Sequence, residues 1–279
     1  MTFFELMSKV NKKYDNKFVN INILCHVSKL VQNSTDLITH RNDEIDFNDC
    51  AYFQLLEDYY EKHIPLAQIT HHAFFNGHEF KVNEMVHCPR PETEIMAQTV
   101  QILMSQDPKL KSILDLCAGT GCIGLSIALN LPYTTVDLVD NNSKALTNIL
   151  NNISKYDLEE RSSVIAGNYF ELIKKAQTKF DVVVMNPPYV PLVQLDKEMT
   201  KYEDKSSFCS AANPFAFYSV LLEEYKNIVH EDHFLIACEF GKDQKEPLEN
   251  MIKNAGLLKY THFYKDLSDQ WRFFVIYKH

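Results

Sequence analysis

A regular alternation of strand-like and helix-like segments, from Ser112 to the end of the chain, most constrains the fold. Short apolar runs such as "SILDL" and "FDVVVM" predict buried strands, and amphipathic stretches such as "SKALTNILNNISKY" predict the helices between them. Alternation of this kind gives a parallel sheet with helices on both faces. The last two strand-like runs are joined by a turn at Ser268-Asp269 without a helix. The predicted class is therefore α/β, with a mostly parallel sheet and an antiparallel final strand.

The residues before this alternation predict a separate helical part. To about Ile69, stretches such as "FFELMSKV" place apolar residues at helical spacing. Asn76-Gly77 then lies between two short aromatic runs, which is the strongest short signal of a β-hairpin. A further helix is expected to begin at Pro91. We therefore predict a small helical-bundle domain over 1–69, a hairpin linker over 70–84 and the sheet domain over 85–279.

Composition narrows the class of protein. Hydrophobic residues make up 46% of the chain, enough for a sizeable core, but no apolar run approaches the length of a membrane span. The start lacks the order of a secretory signal and the seven cysteines form no CxxC pair, so we expect a cytoplasmic protein without membrane contact. The net charge of −9 disfavours nucleic acid as a partner. A histidine-rich stretch has Val82 where a second zinc ligand is needed, so no metal site is predicted.

A glycine-rich loop joins the first strand of the alternation to its first helix. In "LDLCAGTGCIG", Gly119, Gly121 and Gly124 form a G-x-G-x-x-G pattern. Glycines at such a turn let backbone N–H groups approach a ligand above the strand ends. Asp140 ends the second strand, where its carboxylate can accept hydrogen bonds from ribose hydroxyls. The loop and the acid together predict a nucleoside cofactor, either a nicotinamide dinucleotide or S-adenosylmethionine.

Three features favour S-adenosylmethionine over the dinucleotide. Asp115 precedes the glycines within the strand, which is close to the acidic-then-glycine pattern of S-adenosylmethionine enzymes. The expected antiparallel final strand is typical of their fold. The third feature is the sequence "NPPY" after the strand "FDVVVM", because no dehydrogenase mechanism requires it.

The "NPPY" corner is predicted to bind a planar amino group. Asn186 follows a strand of the parallel sheet, so it should face the same cleft as the glycine loop. Its side-chain carbonyl and the backbone carbonyl of Pro187 can each accept a hydrogen bond from a substrate –NH2, while the proline rings restrict the loop. Tyr189 can stack on a planar amide or base. Acceptors fixed off the amide plane would favour a pyramidal nitrogen, whose lone pair is available for methyl transfer.

With these motifs, the chain resembles the release factor glutamine methyltransferases, the HemK-like family. The resemblance covers nearly the whole chain and rests on "PRPETEIM", "ILDLCAGTGCIGLSIAL", "VDLVDNNSKAL", "AGNYF", "NPPYV" and "KDLSDQWRFFV". It implies a Rossmann-like methyltransferase domain over 85–279, preceded by a helical substrate-recognition domain. It also implies methylation of the glutamine side-chain amide in the Gly-Gly-Gln loop of peptide chain release factors, which are the expected protein partners.

The resemblance implies roles for individual residues. The cofactor-binding residues would be Asp115, Cys117, Gly119, Gly121, Asp140, Asn168 and Asn186, with Asn168 at the adenine. The catalytic residues would be Asn186, Pro187 and Tyr189, and Pro188 would join them in binding the substrate. The family usually has glycine at the position of Cys117, and Pro and Gly at the positions of Asp204 and Pro214. The cofactor loop and the substrate-side loop are therefore expected to differ in detail from the family.

Other functions fit parts of this pattern. A glutamine methyltransferase of a ribosomal protein would share these motifs, and the N-terminal domain would then set the choice of substrate. A nucleic-acid adenine amino methyltransferase fits the same corner, but it should carry a basic groove or a base-reading module, which the acidic composition does not support. A non-catalytic binding module would be expected to have lost the glycine loop or the corner, and both are present.

Overall fold

The chain forms two compact units, Met1–His72 and Ala73–His279. The structure, a computed structural model, describes residues 1–195, 197–198, 200–209 and 213–279. Each unit buries apolar side chains of its own: one cluster lies in the first unit and two lie in the second. Within the described residues, no helix combines the length and the apolar character needed to cross a bilayer.

The first unit is a bundle of short helices, as the apolar spacing predicts. Its helices are α1 (Phe3–Lys13), α2 (Lys17–Val27), α3 (Ser34–Thr39), α4 (Asp49–Tyr60) and α5 (Leu66–Thr70). Thr2 caps α1 reciprocally with Glu5: the Thr2 hydroxyl accepts from the Glu5 N–H, and the Glu5 carboxylate accepts from the Thr2 N–H. Tyr52 of α4 is fully buried in the core, and its hydroxyl donates to the carbonyl of Asn20 in α2 at 2.9 Å. This buried hydrogen bond satisfies the one polar atom that the Tyr52 ring brings into the core.

The predicted hairpin is present and, apart from its first residue, belongs to the second unit. It consists of β1 (His72–Phe75) and β2 (His78–Lys81). The turn residues Asn76 and Gly77 have φ angles of 50° and 83°, the positive values that a two-residue hairpin turn needs. At its far end the Lys81 N–H donates to Asn152 Oδ1 at 2.8 Å, which fixes the hairpin within that unit.

The second unit is built on one twisted, mostly parallel sheet. Its strands are β3 (Ser112–Leu116), β4 (Thr135–Asp140), β5 (Ser162–Ala166), β6 (Val182–Met185), β7 (Phe234–Glu239), β8 (Thr261–Lys265) and β9 (Trp271–Lys278). Their order across the sheet is β5-β4-β3-β6-β7-β9-β8. Strands β3 to β7 pair in parallel, and β9 runs antiparallel to both β7 and β8. The predicted α/β class and the antiparallel final strand are confirmed.

Helices cover both faces of this sheet. They are α6 (Pro91–Gln106), α7 (Cys122–Asn130), α8 (Ser143–Lys155), α9 (Tyr169–Lys175), α10 (Ala216–Ile228) and α11 (Lys245–Asn254), with short 3₁₀ helices at Leu192–Gln194, Lys205–Ser207 and Leu258–Tyr260. The buried side chains of α6, α7 and α8 form one apolar cluster with the sheet, and those of α9, α10 and α11 form the other. Helix α9 was not predicted, because its seven residues are too few to show a helical period.

The strand order changes direction at β3, and this creates a crevice. The chain passes from β3 to β4 on one side and later returns to place β6 on the other side. Leu116, the last residue of β3, pairs with Val139 of β4 and with Met185 of β6. The residues that follow these three are Cys117 after β3, Asp140 at the end of β4 and Asn186 after β6. They therefore lie level at the carboxyl edge, where open α/β sheets bind ligands.

Candidate active site

A cavity of about 240 Å³ opens at this carboxyl edge. Loops that follow β3, β4, β5 and β6 line it, together with the segment that leads into α6. Its walls include Arg90, Thr93, Cys117, Gly119, Asp140, Asn142, Asn168, Tyr169, Phe170, Asn186, Pro188, Asp204 and Phe217. Of the predicted site residues, Asp115, Gly121, Pro187 and Tyr189 are not among the lining residues and lie behind or beside the walls.

The glycine loop makes a tight turn under this cavity. Gly121 has a φ of 77°, begins α7 and donates its N–H to the Ala118 carbonyl at 2.7 Å. A Cβ at this position would lie 2.9 Å from Leu125 Cδ1, so both the conformation and the packing require glycine. Gly119 has a φ of 58° with open space where a Cβ would be. The open space at Gly119 leaves the loop backbone accessible to a ligand.

Cys117 occupies a backbone position that favours glycine. Its φ is 60°, in the left-handed region that L side chains rarely adopt. The turn out of β3 requires this conformation, which explains why glycine suits the position. Cys117 therefore adds a side chain to the cavity wall at a backbone position that suits glycine.

Asp140 is held in place by hydrogen bonds from the loops on both sides. Its Oδ2 accepts from the Gly119 N–H and its Oδ1 accepts from the Asn142 N–H, each at 2.9 Å. A carboxylate offers about four acceptor sites, so the two oxygens keep capacity for ligand hydroxyls. Burial raises the pKa of Asp140, the two backbone N–H groups oppose this, and the charge of Asp204 adds to it. The ribose-binding role of Asp140 stays a prediction.

Asp115 lies beneath the glycine loop rather than at the cavity. It is fully buried, and its Oδ2 accepts from the Gly124 N–H at 2.8 Å. A Cβ on Gly124 would lie 2.7 Å from Val136 and 3.0 Å from Asp115 Oδ2, so this glycine allows the helix to approach the sheet. Burial raises the pKa of Asp115 to about 7, with Gly124 opposing and Asp140 adding to the shift. We therefore replace the predicted direct contact of Asp115 with the cofactor by a role in anchoring the loop.

The part of the cavity wall where Asn168 was predicted to contact the adenine combines an amide with aromatic rings. Asn168 Oδ1 accepts from the Phe170 N–H at 2.9 Å as the cap of α9, so its –NH2 is the group left for a ligand. Tyr169, Phe170 and Phe217 form a cluster of rings with centroids 4.9 to 5.3 Å apart. Sequence reasoning missed these rings, because Phe217 follows the other two by nearly fifty positions and only the fold brings them together.

The amide of Asn186 is oriented by a residue that the sequence did not single out as functional. Asn186 Nδ2 donates to Thr93 Oγ1 at 3.2 Å, and Thr93 is itself buried in the first turn of α6. This hydrogen bond uses the amino side of the amide and leaves Oδ1 as the acceptor. Thr93 belongs to "PRPETE", and that motif was the available signal.

The rest of the corner is fixed from behind. Pro187 and Pro188 are buried, and Pro188 reaches the cavity wall. Tyr189 donates its hydroxyl to Glu239 Oε1 at 2.8 Å, and its backbone carbonyl accepts from Gln244 Nε2 at 2.9 Å. Burial, followed by the neighbouring carboxylate of Glu239, raises the pKa of Tyr189. The phenol is therefore neutral, and its hydroxyl is committed to Glu239.

The buried acid Glu203 holds the substrate-side loop, and the sequence did not single it out. Glu203 accepts from Arg90 Nη2 at 2.5 Å and from the Cys88 N–H at 3.0 Å. Burial alone would raise the pKa of Glu203, but His87 and Arg90 outweigh it and lower the pKa. The next residue, Asp204, accepts from Asn142 Nδ2 at 3.2 Å. Residues 203–204 thus join the loop after the corner to the segment before α6 and to the loop after β4.

The donor set of the cavity fits S-adenosylmethionine. Asp140 offers acceptors for a ribose, Asn168 and the neighbouring rings offer a site for adenine, and the open backbone at Gly119 lines the same cavity as these groups and Asn186. A family model described as "Methyltransferase small domain" matches residues 93–202. The S-adenosylmethionine-dependent methyltransferase from Agrobacterium tumefaciens shares the fold, with a TM-score of 0.50 and 12% identity over 68% of this chain and 63% of that one. Fold and cavity define an S-adenosylmethionine-dependent methyltransferase.

Curated relatives identify the family within this class. The chain is similar to the release factor glutamine methyltransferase of Aquifex aeolicus, with 31% identity over 91% of this chain and 90% of the relative. It is also similar to the one of Mycoplasma mycoides, with 29% identity over 99% of this chain and 98% of the relative. A ribosomal protein uL3 glutamine methyltransferase of Burkholderia pseudomallei is 29% identical over 72% of this chain and 67% of the relative. This chain belongs to the release factor glutamine methyltransferase family.

Replacement of Asp140 should weaken cofactor binding. Asp140→Ala removes the acceptor for ribose hydroxyls and the support of Gly119, so we expect a loss of roughly 1–3 kcal/mol in affinity for S-adenosylmethionine. Isothermal titration calorimetry measures this directly. Asp137→Asn, on the same strand but outside the cavity lining, is the matched control and should bind as the parent does. An unchanged affinity in Asp140→Ala would remove Asp140 from the site.

The buried acid Asp115 should make stability depend on pH. The unfolded carboxyl has a pKa of about 4, and the folded one has a pKa of about 7. The native state therefore holds an extra proton between these values and loses stability as pH rises from about 4 to 7. Asp115→Asn cannot titrate, so its stability relative to the parent should increase by about 2–4 kcal/mol from pH 4 to pH 8. Urea unfolding, followed by the fluorescence of the single tryptophan, Trp271, measures the difference; a pH-independent difference would contradict the assignment.

Proposed function

We propose that this protein transfers a methyl group from S-adenosylmethionine to the side-chain amide nitrogen of the glutamine in the Gly-Gly-Gln loop of peptide chain release factors. The observation that carries the proposal is the oriented amide of Asn186, whose Nδ2 is bonded to Thr93 so that Oδ1 is available beside the cofactor cavity. Membership of the release factor glutamine methyltransferase family supports this substrate. We also propose that the protein acts in the cytoplasm.

The residues of the corner would activate a poor nucleophile. An amide nitrogen shares its lone pair with its carbonyl group, so a planar amide resists alkylation. Asn186 Oδ1 and the Pro187 carbonyl would each accept one N–H of the substrate amide. Among the residues that the structure describes, no backbone hydrogen bond to the Pro187 carbonyl is found. Two acceptors set before the reaction need no reorganisation during it, which is the condition for a large electrostatic contribution.

The cofactor and the substrate would meet above the level ends of β3 and β6. Bound S-adenosylmethionine supplies an electrophilic methyl group on a sulfonium sulfur. Asp140 and Asn168 would hold its ribose and adenine, and Asn186 would hold the substrate nitrogen. The protein's contribution is alignment, which is worth several kcal/mol when the reacting atoms are held about 3–3.5 Å apart. Pro188 and the loop fixed by Glu203 would help to exclude water from this position.

Two alternative substrates use the same chemistry. A glutamine of a ribosomal protein fits the corner equally well, and the similarity to the uL3 glutamine methyltransferase favours it as the second candidate. An adenine amino group would fit the acceptors, but a chain with a net charge of −9 offers little for a phosphate backbone. Transfer of labelled methyl to purified release factor, to ribosomal protein uL3 and to single-stranded DNA separates the three. Replacement of the Gly-Gly-Gln glutamine in the release factor should abolish labelling.

Asn186→Ala should impair transfer far more than it impairs the fold. It removes one substrate acceptor but leaves the prolines, β6 and the glycine loop unchanged, so we expect turnover on release factor to fall roughly a hundredfold or more. Affinity for S-adenosylmethionine, measured by calorimetry, should change much less. Asn250→Ala, an amide exposed on α11 and away from the cavity lining, is the control. Near-full turnover in folded Asn186→Ala would mean that the corner only terminates the strand.

We also propose that the first unit recognises the protein substrate. Phe4, Phe18 and Ile38 are exposed on it at 63%, 65% and 71%, and exposed aromatic side chains are common anchors of protein interfaces. The larger unit already contains the residues assigned to cofactor and amide binding. The smaller unit is therefore available for contacts outside the Gly-Gly-Gln loop.

Phe18→Ser should weaken binding of the protein substrate but not of the cofactor. We expect KM for whole release factor to rise roughly tenfold or more, as for loss of an interface anchor. KM for a short Gly-Gly-Gln peptide and affinity for the cofactor should stay unchanged, because neither would reach this surface. Leu150→Ser, at a similarly exposed apolar position on α8, serves as the comparison. Equal effects of the two substitutions would argue against recognition by Phe18.

A further inference from the structure

The carboxylate of Glu239 lies buried behind the "NPPY" corner, where the proposed reaction gives it no direct part. Glu239 ends β7, the strand next to β6, and is only 2% exposed. Its Oε1 accepts from the Tyr189 hydroxyl at 2.8 Å. The Thr93 hydroxyl lies against the same carboxylate and favours its charged form. Its Oε2 has no well-aligned donor among the described residues, so it is available to the Thr93 hydrogen, which can rotate.

Thr93 connects the neighbourhood of this carboxyl group to the cavity. Its oxygen accepts from Asn186 Nδ2 at 3.2 Å, so its own hydrogen is left for another acceptor. An ionised carboxylate only accepts, so a hydrogen bond between Glu239 and the Thr93 hydroxyl requires Thr93 to donate. An Asn amide that donates through its nitrogen on this side presents its oxygen on the other.

We propose that Glu239 is a positioning residue for methyl transfer, which acts through Thr93 to keep Asn186 Oδ1 directed at the substrate amide and through Tyr189 to fix the other side of the corner. This inference rests on the proposed function, because it assigns a role in that reaction. Without the carboxylate, Thr93 could donate to Asn186, and the side-chain amide of Asn186 could flip so that its oxygen and nitrogen exchange places. Its –NH2 would then meet the substrate –NH2, and neither group could accept.

Hydrogen-bond donors and positive charges surround the carboxyl group of Glu239. Burial raises its pKa, and the hydroxyls of Thr93 and Tyr189 and the charges of Arg272 and His87 reduce that rise without cancelling it. Its backbone carbonyl accepts from the buried Tyr218 hydroxyl at 2.7 Å.

The turn after β7 continues the support of Tyr189. The Gly241 N–H donates to Gln244 Oε1 at 2.8 Å, and Gln244 Nε2 donates to the Tyr189 carbonyl at 2.9 Å. A Cβ on Gly241 would lie 3.0 Å from the Tyr189 ring, so the turn packs directly against that ring. Residues at the end of β7 and in the turn after it therefore hold Tyr189 by its hydroxyl and by its backbone carbonyl.

Glu239→Gln is the decisive substitution, because it keeps the shape and replaces an obligate acceptor by a group that can donate. We expect kcat on release factor to fall roughly ten- to a hundredfold, with KM for release factor and affinity for S-adenosylmethionine within about twofold of the parent. Thr93→Val should lose a similar factor, and Thr93→Ser, which keeps the hydroxyl, should retain most of the activity. Loss of activity in Thr93→Ser equal to that in Thr93→Val would overturn the role of the hydroxyl.

Double variants separate the two routes. Glu239→Gln should cost little in a Thr93→Val/Tyr189→Phe background, because both routes are already removed. It should still cost severalfold in Tyr189→Phe alone, because the route through Thr93 remains. A full loss in the doubly substituted background would mean that Glu239 acts by general destabilisation, which overturns the inference.

A measurement that does not depend on methylation separates a failure of this inference from a failure of the proposed function. The side-chain ¹⁵N–¹H signals of Asn186 should shift in both Glu239→Gln and Thr93→Val and should stay in place in the control Gln98→Ala, on the exposed face of α6. Unmoved Asn186 signals would overturn the inference whatever the substrate is. Failure of the parent protein to methylate release factor, with the Asn186 signals shifting as expected, would instead overturn the proposed function and leave the hydrogen-bond chain supported.

Discussion

Parallel pairing of β3 with β4 on one side and β6 on the other is the constraint on which the site depends. The shared register at Leu116 brings Cys117, Asp140 and Asn186 to one level of the carboxyl edge. A shift of one residue in either pairing would turn a cavity-facing side chain to the opposite face of the sheet. The apolar strands specify this register because their buried residues must face the helices. The strand register that packs the core is therefore also the register that aligns the site.

Two buried acids support the two halves of the cavity from behind. Asp115 anchors the glycine loop through the Gly124 N–H, and Glu239 anchors the corner through Tyr189 and lies against Thr93. Burial of a carboxyl group is costly unless hydrogen bonds compensate, and in both cases the compensation is incomplete: Asp115 Oδ1 and Glu239 Oε2 have no well-aligned partner among the described residues. Such groups suit positions where orientation matters more than stability. Glu203 differs from these two acids, because hydrogen bonds from Arg90 and the Cys88 N–H compensate its burial.

The departures from the family pattern fall in loops and leave this framework intact. Cys117 adopts the left-handed conformation that glycine usually supplies. Asp204, where the resemblance implies proline, accepts from Asn142 and so joins the substrate-side loop to the loop after β4. Pro214 lies in the turn before α10, three residues ahead of the cavity residue Phe217. Cys117 and Asp204 line the cavity, Pro214 does not, and none of the three lies in a strand.

The sequence by itself determined the elements and the chemical class of the site. Strand and helix periods, the Asn76-Gly77 turn, the glycine loop and the "NPPY" corner are local patterns, and local patterns follow from backbone sterics and amphipathicity. Helix α9 was too short to leave such a pattern. Only the tertiary structure shows that Asp115 lies beneath the loop, that Asn186 is bonded to Thr93 and that Phe217 lines the cavity. It also shows that Glu203 and Glu239 accept hydrogen bonds from Arg90 and Tyr189. The reason is physical: apart from the nearby pair Asp115 and Gly124, these contacts join residues far apart in the chain, and hydrogen-bond partners at such separations are set by strand order and packing rather than by neighbours in the chain.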